Sequence, residues 1–559
     1  MKLEYAYKGR SAIVNQPSRS DVAFATNTLR ETTYFEGEMK RPLVFREGMA
    51  ALYDVVVSDF RYRGRSRPEF EAWLAEQDRI FLQRLAVQAA EARGRMEELH
   101  GRLAELNVDR EIARQPFYKA RRLFFDHIYT NEYELWMLLD PVITVHPDEL
   151  SFEAFSKDES SYARLAVKYD VFGNVGSFEC GTTNIDFSAK LHGQLDRMRT
   201  YRQTHFGVDP GGFTVQTDDE IHREKKIDMP DSWVMGFLQV HSVMSMGLTR
   251  FRMGAVDLYN ICRRLRMKKA RTSPRSLRYE LIPGERIRVV LEPWEDVIEL
   301  KTTERYQGSK PQTIRTWGRD RLQTLERLLP AARSVDVYLA GLGLPSIYVV
   351  DLGEATFTLG LSGWTDNDWA SDDGQFDLLN RPLEVSQPEL EKVHGELKKI
   401  RYSKADALAM TTGLQVEKVR SALSYLCQTG RGMYDLAGGV FRHRELFAEP
   451  FTVKAAALQK AAEKKDSQAQ RGRRLFEDGG IRITARRPVT AADGRRGYKL
   501  TGSAAGKGGR VRPLLEVDAD GAIVTASCTC SFYKSHQLTK GPCEHVLALR
   551  LAHMERLAS

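Results

Sequence analysis

Residues 526–549, ASCTCSFYKSHQLTKGPCEHVLAL, gather three of the chain's six cysteines within sixteen positions and set a histidine two places after the last. The pattern is Cys528-Thr-Cys530, twelve residues, then Cys543-Glu-His545. Zinc takes four nitrogen or sulfur ligands arranged tetrahedrally, and three cysteines with one histidine make a closed, structural set. Residues i and i+2 of a strand project to one face, so Cys528 and Cys530 can aim both thiolates at one ion. Upstream, Pro513 to Ala519 and Ala522 to Ser527 flank Asp520-Gly521, a hairpin turn signal. Downstream, Pro542 can open a helix carrying Val546, Leu547, Leu549 and Leu551, with Cys543 near its N-terminus, where the helix dipole favours a thiolate. The expectation is a hairpin, a loop and a helix held by Zn2+ on Cys528, Cys530, Cys543 and His545. His536, in the loop, reads as solvated. A closed site keeps no position for substrate or activated water, so the ion is assigned no catalysis.

The arrangement resembles the SWIM zinc finger: CxC, a variable spacer, then CxH on a ββα unit. The resemblance covers about residues 495–557. It implies DNA binding or protein contacts, without choosing between them.

Immediately upstream the charge is uneven. The chain carries a net +8, yet residues 452–512 hold 16 basic and 5 acidic residues, so the rest is slightly acidic. A basic strip on a near-neutral protein suggests a polyanion partner locally. Its arginines, Arg471, Arg473, Arg474, Arg486, Arg487, Arg495 and Arg496, are candidate phosphate contacts. Residues 452–474 read as a solvated helix or linker. A second basic run, Arg263 to Arg271, reads as a helix.

Before the strip, Ser386-Gln-Pro388 opens a helix to about Ile400, and a short helix runs from near Ser403 to Gly413. Gln415 to Thr429 forms a third, with Val416, Val419, Leu423 and Leu426 inward and Gly430 as its stop. Met433 to Leu436 and Val440 to His443 then flank Gly438-Gly439 as a hairpin. Three helices and a hairpin resemble a winged helix-turn-helix. In DNA-binding members the last helix enters the major groove and the wing touches phosphate. That would place Gln415, Lys418, Arg420 and Ser421 on the groove face and Arg442 and Arg444 on the wing, with Glu417 repelling phosphate.

At 559 residues the chain exceeds what one core can organise. The expected fold class is α+β and multi-domain. A β-rich segment (1–65) includes strands at Ser11–Val14 and Leu52–Val57. A helical hairpin (66–141) follows, with apolar stripes at Phe70, Leu74, Phe81 and Leu85 and at Met96, Leu99, Leu103 and Leu106. Next come a mixed α+β body (142–385), the winged-helix-like segment (386–450), a basic linker (451–494) and the finger (495–559). In the body, strands are expected at Leu165–Val171, Phe213–Thr217, Ile287–Leu291 and Ser346–Val350, and an apolar helix at Trp233–Met246.

No apolar run approaches the roughly 20 residues that span a bilayer, and the first ten residues lack the apolar core of a secretory signal. A cytoplasmic protein is expected, with Cys180, Cys262 and Cys427 as free thiols. Enzymatic motifs fail on inspection. Gly502 to Gly508 is one residue short of a phosphate-binding loop and lacks its Ser/Thr. Asp366 to Asp373 lacks the glycine and glutamate of an EF-hand. A nucleophilic Cys180 would need His192 or His205 beside it.

Ala23-Phe-Ala-Thr26, Val55 to Asp59 and Cys180 to Phe187 are similar to upstream regions of bacterial multi-domain SWIM proteins. That similarity implies a MoxR-type ATPase or von Willebrand A partner and a stress or antiviral setting. The reading is a non-enzymatic adaptor that binds DNA at its C-terminal end and recruits a protein through its body. The alternatives are a pure protein scaffold or, more remotely, a nuclease-like enzyme in 142–385.

Overall fold

The computed structural model describes residues 11–58, 141–209, 231–269, 275–363, 369, 385–446, 468–490 and 496–558, less short stretches at 17, 27–32, 186–188, 196, 202, 246, 341–344, 507–508, 519–522, 537 and 539–541. The expected helical hairpin, the strand at Phe213–Thr217 and the acidic loop at 366–373 fall outside these, Trp369 apart.

An eight-stranded antiparallel sheet forms the centre of the body. From edge to edge its strands are Thr249–Met253, Ser334–Leu339, Ser346–Asp351, Ala355–Leu361, Ser161–Lys168, Glu149–Phe155, Val142–Val145 and Gly181–Asn184. The two strands Glu149–Phe155 and Ser161–Lys168 are buried along nearly their whole length. Alternation sends Phe152 and Leu165 to one face and Glu149, Glu153, Tyr162 and Arg164 to the other. The first face receives the helix Pro42–Val57, whose Phe45 lies edge-on to Phe152 at 6.0 Å. At Gly48 a Cβ would sit 2.6 Å from Leu165 Cδ1, so a larger residue here would have to push the buried Leu165 side chain aside.

The helix corrects one expectation, since Leu52–Val57 is its C-terminal end and not a strand. Tyr-Asp-Val-Val-Val favours β locally. However, Phe45, Met49, Leu52 and Val56 recur at helical spacing and are all buried, each side chain gaining about 1.5–3 kcal/mol. Tertiary packing outweighs the β-branched preference.

A second, five-stranded sheet has the order Ala12–Asn15, Arg19–Ala25, Gln203–Asp209, Tyr34–Met39, Phe172–Glu179. Strands from both sides of the 66–141 segment therefore complete one sheet, so residues 11–57 belong to the body and are not a separate segment. A four-stranded sheet, Asp296–Glu299, Arg288–Leu291, Leu277–Leu281, Gln312–Thr316, completes it. The expected helix at Trp233–Met246 is present as Asp231–Met244.

Residues 387–443 fold as α1 (Gln387–Ile400), β1 (Tyr402–Ser403), α2 (Ala405–Thr412), α3 (Val416–Gln428), β2 (Gly432–Asp435) and β3 (Val440–His443), the strands in the order β1-β3-β2. Val393, Leu397, Leu408, Val419, Ala422, Leu423 and Leu426 make its core. Gly413 and Gly430, at φ 66° and 74°, end α2 and α3 in the left-handed region that glycine tolerates.

The C-terminal region contains α4 (Gln468–Glu477), β4 (Ile481–Thr490), β5 (Arg496–Gly506), β6 (Gly509–Val511), β7 (Leu514–Asp518), β8 (Ile523–Ser527), α5 (Ser531–His536) and α6 (Glu544–Ala558). The strands form a sheet in the order β4-β5-β7-β8, with β6 paired to β5. Part of the expected linker is thus ordered structure. The Gly502–Gly506 part of the phosphate-loop look-alike is plain antiparallel strand. Among the described residues, no helix is long and apolar enough to cross a membrane.

Candidate metal centre

The four expected ligands converge. Cys528, Cys530, Cys543 and His545 are all buried, and one ligand atom from each lies within 4.8 Å of every other. Zinc–sulfur bonds of about 2.3 Å set tetrahedral sulfurs about 3.8 Å apart, so an ion needs only a small contraction. Cys528 and Cys530 do not share a strand face as expected. The strand β8 ends at Ser527, and the pair sits on the bend between it and α5. Thr529 points out, its hydroxyl accepting from the Arg512 backbone N–H at 2.9 Å, which leaves its two neighbours facing in. Cys543 precedes α6 and its carbonyl accepts the Leu547 N–H at 3.1 Å, so it stands at the helix N-terminus as expected.

Backbone donors surround the sulfurs. The Tyr533 N–H points at Cys530 Sγ, 3.4 Å away, and the Cys530 and Val546 N–H groups serve Cys528 and Cys543. A hydrogen bond from Cys543 holds the Cys528 thiol down to about 4, and the same bond pushes Cys543 up. Burial lowers His545, but the Cys528 sulfur outweighs it and raises the ring. These groups share protons that an ion would displace, the usual coupling of metal binding to deprotonation. His545 Nδ1 is buried without a hydrogen-bond partner, a position suited to a metal ligand. The residues fit zinc, and when bound it would cross-link β8, α5 and α6.

A solvated helix or linker was expected over 452–474, but α4 is a packed helix. It lies along α6, and at Gly472 a Cβ would meet Glu544 O and Leu547 Cβ, both at 2.9 Å. Gln468 Oε1 accepts the Glu544 N–H at 2.9 Å and so caps α6 next to Cys543. Arg471 pairs with Glu544 at 2.9 Å. The signal was present as Gln468, Gly472 and Leu475 at helical spacing, obscured by the surrounding charge.

The candidate nucleic-acid contacts divide. Arg473 and Arg474 on α4, and Arg482, Arg486 and Arg487 on β4, are exposed, as are Arg510 and Arg512. Arg486 lies over the Tyr498 ring at 3.9 Å. Arg495 falls outside the described residues, and Arg496 lies on β5. On the 387–446 unit the expected face is partly engaged within the protein. Ser421 is buried, Lys418 pairs with Glu389 at 2.6 Å, and Arg420 with Asp406 at 3.3 Å. Only Gln415 stays exposed as expected. The helix α3 packs against the body helix Asp231–Met244.

The two expected wing arginines point inward. Arg442 forks onto Asp148 at 2.7 and 3.0 Å and gives its Nε to Asp435 at 2.9 Å. Arg444 is fully buried against both oxygens of Glu153 at 2.8 and 2.7 Å, with Tyr162 OH on the same carboxylate at 2.6 Å. Arg164 completes the network with Glu149 and Asp435. The polar face of the central sheet, which alternation alone would leave to solvent, is covered by this unit together with the body helix Asp231–Met244, whose Phe237 meets Phe155 at 4.9 Å. Burial pushes Glu153 up, but Arg444 and then His241 hold it well below the carboxylate range. Glu149 goes the other way, because burial outweighs Arg164 and raises it. Elsewhere, His192 stacks on Tyr53 at 4.0 Å and His205 faces Glu38 at 3.3 Å. In the run from Arg263 to Arg271, Arg264 and Lys268 pair with Asp296.

Compared with known families, residues 511–553 match the SWIM zinc finger. No curated protein matches the chain. Among solved structures, the Proliferating Cellular Nuclear Antigen of Entamoeba histolytica aligns at 10% identity and TM-score 0.28, covering 40% of this chain and 89% of that one. A chain from the structure of the C-terminal region of FEN-1 bound to A. fulgidus PCNA aligns at 11% identity and TM-score 0.28, covering 41% of this chain and 90% of that one. Likeness at that TM-score carries no argument.

Proposed function

We propose that the chain is a non-enzymatic, zinc-containing adaptor whose C-terminal module binds the phosphate backbone of a nucleic acid. The carrying observation is the arginine surface of that module: Arg473, Arg474, Arg482, Arg486 and Arg487 stand exposed on α4 and β4. Arg473 meets Glu477 at 3.7 Å one turn along, much as the exposed body arginines Arg250 and Arg252 meet Asp336. In this reading a ββα finger, stapled by zinc, fixes α6, and α6 fixes α4 through Gly472 and Gln468. The metal thereby sets the geometry of the basic face without touching the ligand.

The order of elements in α1 to β3 supports a winged helix used as an internal dock. With α3 against the body and Arg442 and Arg444 in buried pairs, it is not the groove reader. Recruitment of a MoxR-type ATPase or von Willebrand A protein, in an antiviral setting, rests on the three upstream stretches. Eight of their fourteen described residues are buried, Phe24 and Val55 completely, so these speak for shared fold more than for a shared contact surface.

The full chain serves for the test, because a fragment from 386 onward would strip the cover from buried charges. Binding to duplex and single-stranded DNA and to RNA is measured against salt. Four neutralised phosphates, with their counterions released, give a log–log slope of about −3.6 on duplex DNA. Reversal of Arg473, Arg474, Arg486 and Arg487 to Glu should abolish binding with the fold intact. Undetectable binding at low salt, with a protein partner co-purifying, would establish the protein scaffold instead.

A further inference from the structure

A second convergence of ligand-type side chains lies well away from the cysteines in sequence, inside the 387–446 unit. His394 comes from α1, His443 ends β3 and Glu445 follows it. One ligand atom from each lies within 4.8 Å of the other two. The two rings face each other with centroids 5.5 Å apart and planes inclined by 29°, and His443 Nε2 is 3.4 Å from Glu445 Oε1. His394 Nε2 is buried without a hydrogen-bond partner, and His443 Nε2 has the Glu445 carboxylate as its neighbour. Leaving a buried ring nitrogen such as His394 Nε2 unsatisfied is costly unless something engages it.

We propose that His394, His443 and Glu445 bind one divalent transition-metal ion, of the class that prefers imidazole and carboxylate ligands. Two histidines and one carboxylate form a three-ligand set with a fourth position left open. Ligand bonds of about 2.0–2.1 Å set tetrahedral neighbours about 3.4 Å apart, so the three groups close by little more than an ångström. Arg401 Nη1 can only donate to His443 Nδ1, 3.5 Å away, which favours a proton on Nε2 facing Glu445 Oε1 that an ion would have to displace. Lys398 Nζ holds Glu445 Oε1 at 3.2 Å and competes with the ion for that oxygen. The site is therefore weaker than the cysteine centre. An ion there would tie α1 to the end of the hairpin that carries Arg442 and Arg444 into the body.

Cobalt(II) bound to the full chain separates the two sites. The cysteine centre gives intense thiolate-to-cobalt charge transfer, and a histidine–carboxylate site gives only weak d–d bands. The expected result is two equivalents per chain for the unaltered protein. His394→Ala should bind one, keeping the charge-transfer band and losing the second set of d–d bands. Lys398→Gln keeps all three ligands and should bind the second equivalent several-fold more tightly, which guards against misreading a folding defect in His394→Ala. A single equivalent in the unaltered protein, two in His394→Ala, or loss of the second equivalent in Lys398→Gln would each overturn the assignment.

Discussion

The 387–446 unit and the C-terminal module are both small, and they are secured in opposite ways. The first has its own core, and its hairpin is anchored to the body through buried ion pairs, Arg442 on Asp148 and Asp435 and Arg444 on Glu153. The second has a core of residues such as Leu500, Leu515, Val517, Val546 and Leu549, with its cysteines and histidine meeting at one point. A buried ion pair spends much of its attraction on desolvation, so it contributes specificity of docking more than stability. A structural zinc contributes folding energy outright. One region therefore depends on an exact partner surface and the other on an ion, and different perturbations should separate them.

Removing zinc is the largest. Structural zinc in finger peptides carries apparent binding energies of about 10–16 kcal/mol, so chelation or Cys528→Ser should unfold the C-terminal module. Hydrogen exchange should show protection lost across 496–558 and retained in the central sheet. Equal loss in both would break the comparison.

Next comes Arg444→Met, which leaves the buried Glu153 without its arginine at a cost of about 3–5 kcal/mol. The body should melt lower while the zinc content stays unchanged. Adding Glu153→Met should restore most of the loss, and failure to do so would mean that Arg444 acts by packing over Phe237, whose ring it faces at 5.0 Å.

Acid should separate the regions in the reverse order of their strength. Burial raises Asp435, but Arg164 and Arg442 bring it down to about 2. A carboxylate depressed in the folded state contributes stability above its unfolded value, near 4, and loses it as pH falls through about 2, here roughly 2 kcal/mol. Protons compete with zinc for three cysteines and a histidine before that. Between about pH 5 and 4 the module should release its metal while the docked unit persists.

The smallest effect sharpens the picture inside the module. Gly472→Ala places a Cβ at 2.9 Å from backbone, and overpacking of this kind costs about 1–3 kcal/mol. Zinc should remain bound, with α4 loosened from α6 and affinity for nucleic acid reduced.

The zinc ligands were fully legible, because four soft ligands at that spacing have few other uses. The three helices and hairpin were legible too, since Val419, Leu423 and Leu426 mark a helix face and glycines stand at the stops. Direction of use was not. Arg442 and Arg444 look like phosphate contacts until Glu149, Glu153 and Asp148, almost 300 positions earlier, are placed against them. Local pattern states that a face is polar, and only tertiary structure states what covers it. Leu52–Val57 failed for the related reason that its β-branched residues were read without the stripe that begins at Phe45.

The strand β4 carries one more consequence. It spans ten residues and, among the described residues, pairs on one side only, with β5. An open edge of that length is a template on which another chain can extend the sheet. Arg482, Arg486 and Arg487 repel a second copy of themselves, Pro488 has no N–H to offer, and an irregularity between Ile483 and Ala485 breaks the flat register. The residues proposed to meet phosphate thus also keep the molecules apart from one another, and neutralising them would invite self-association through that edge.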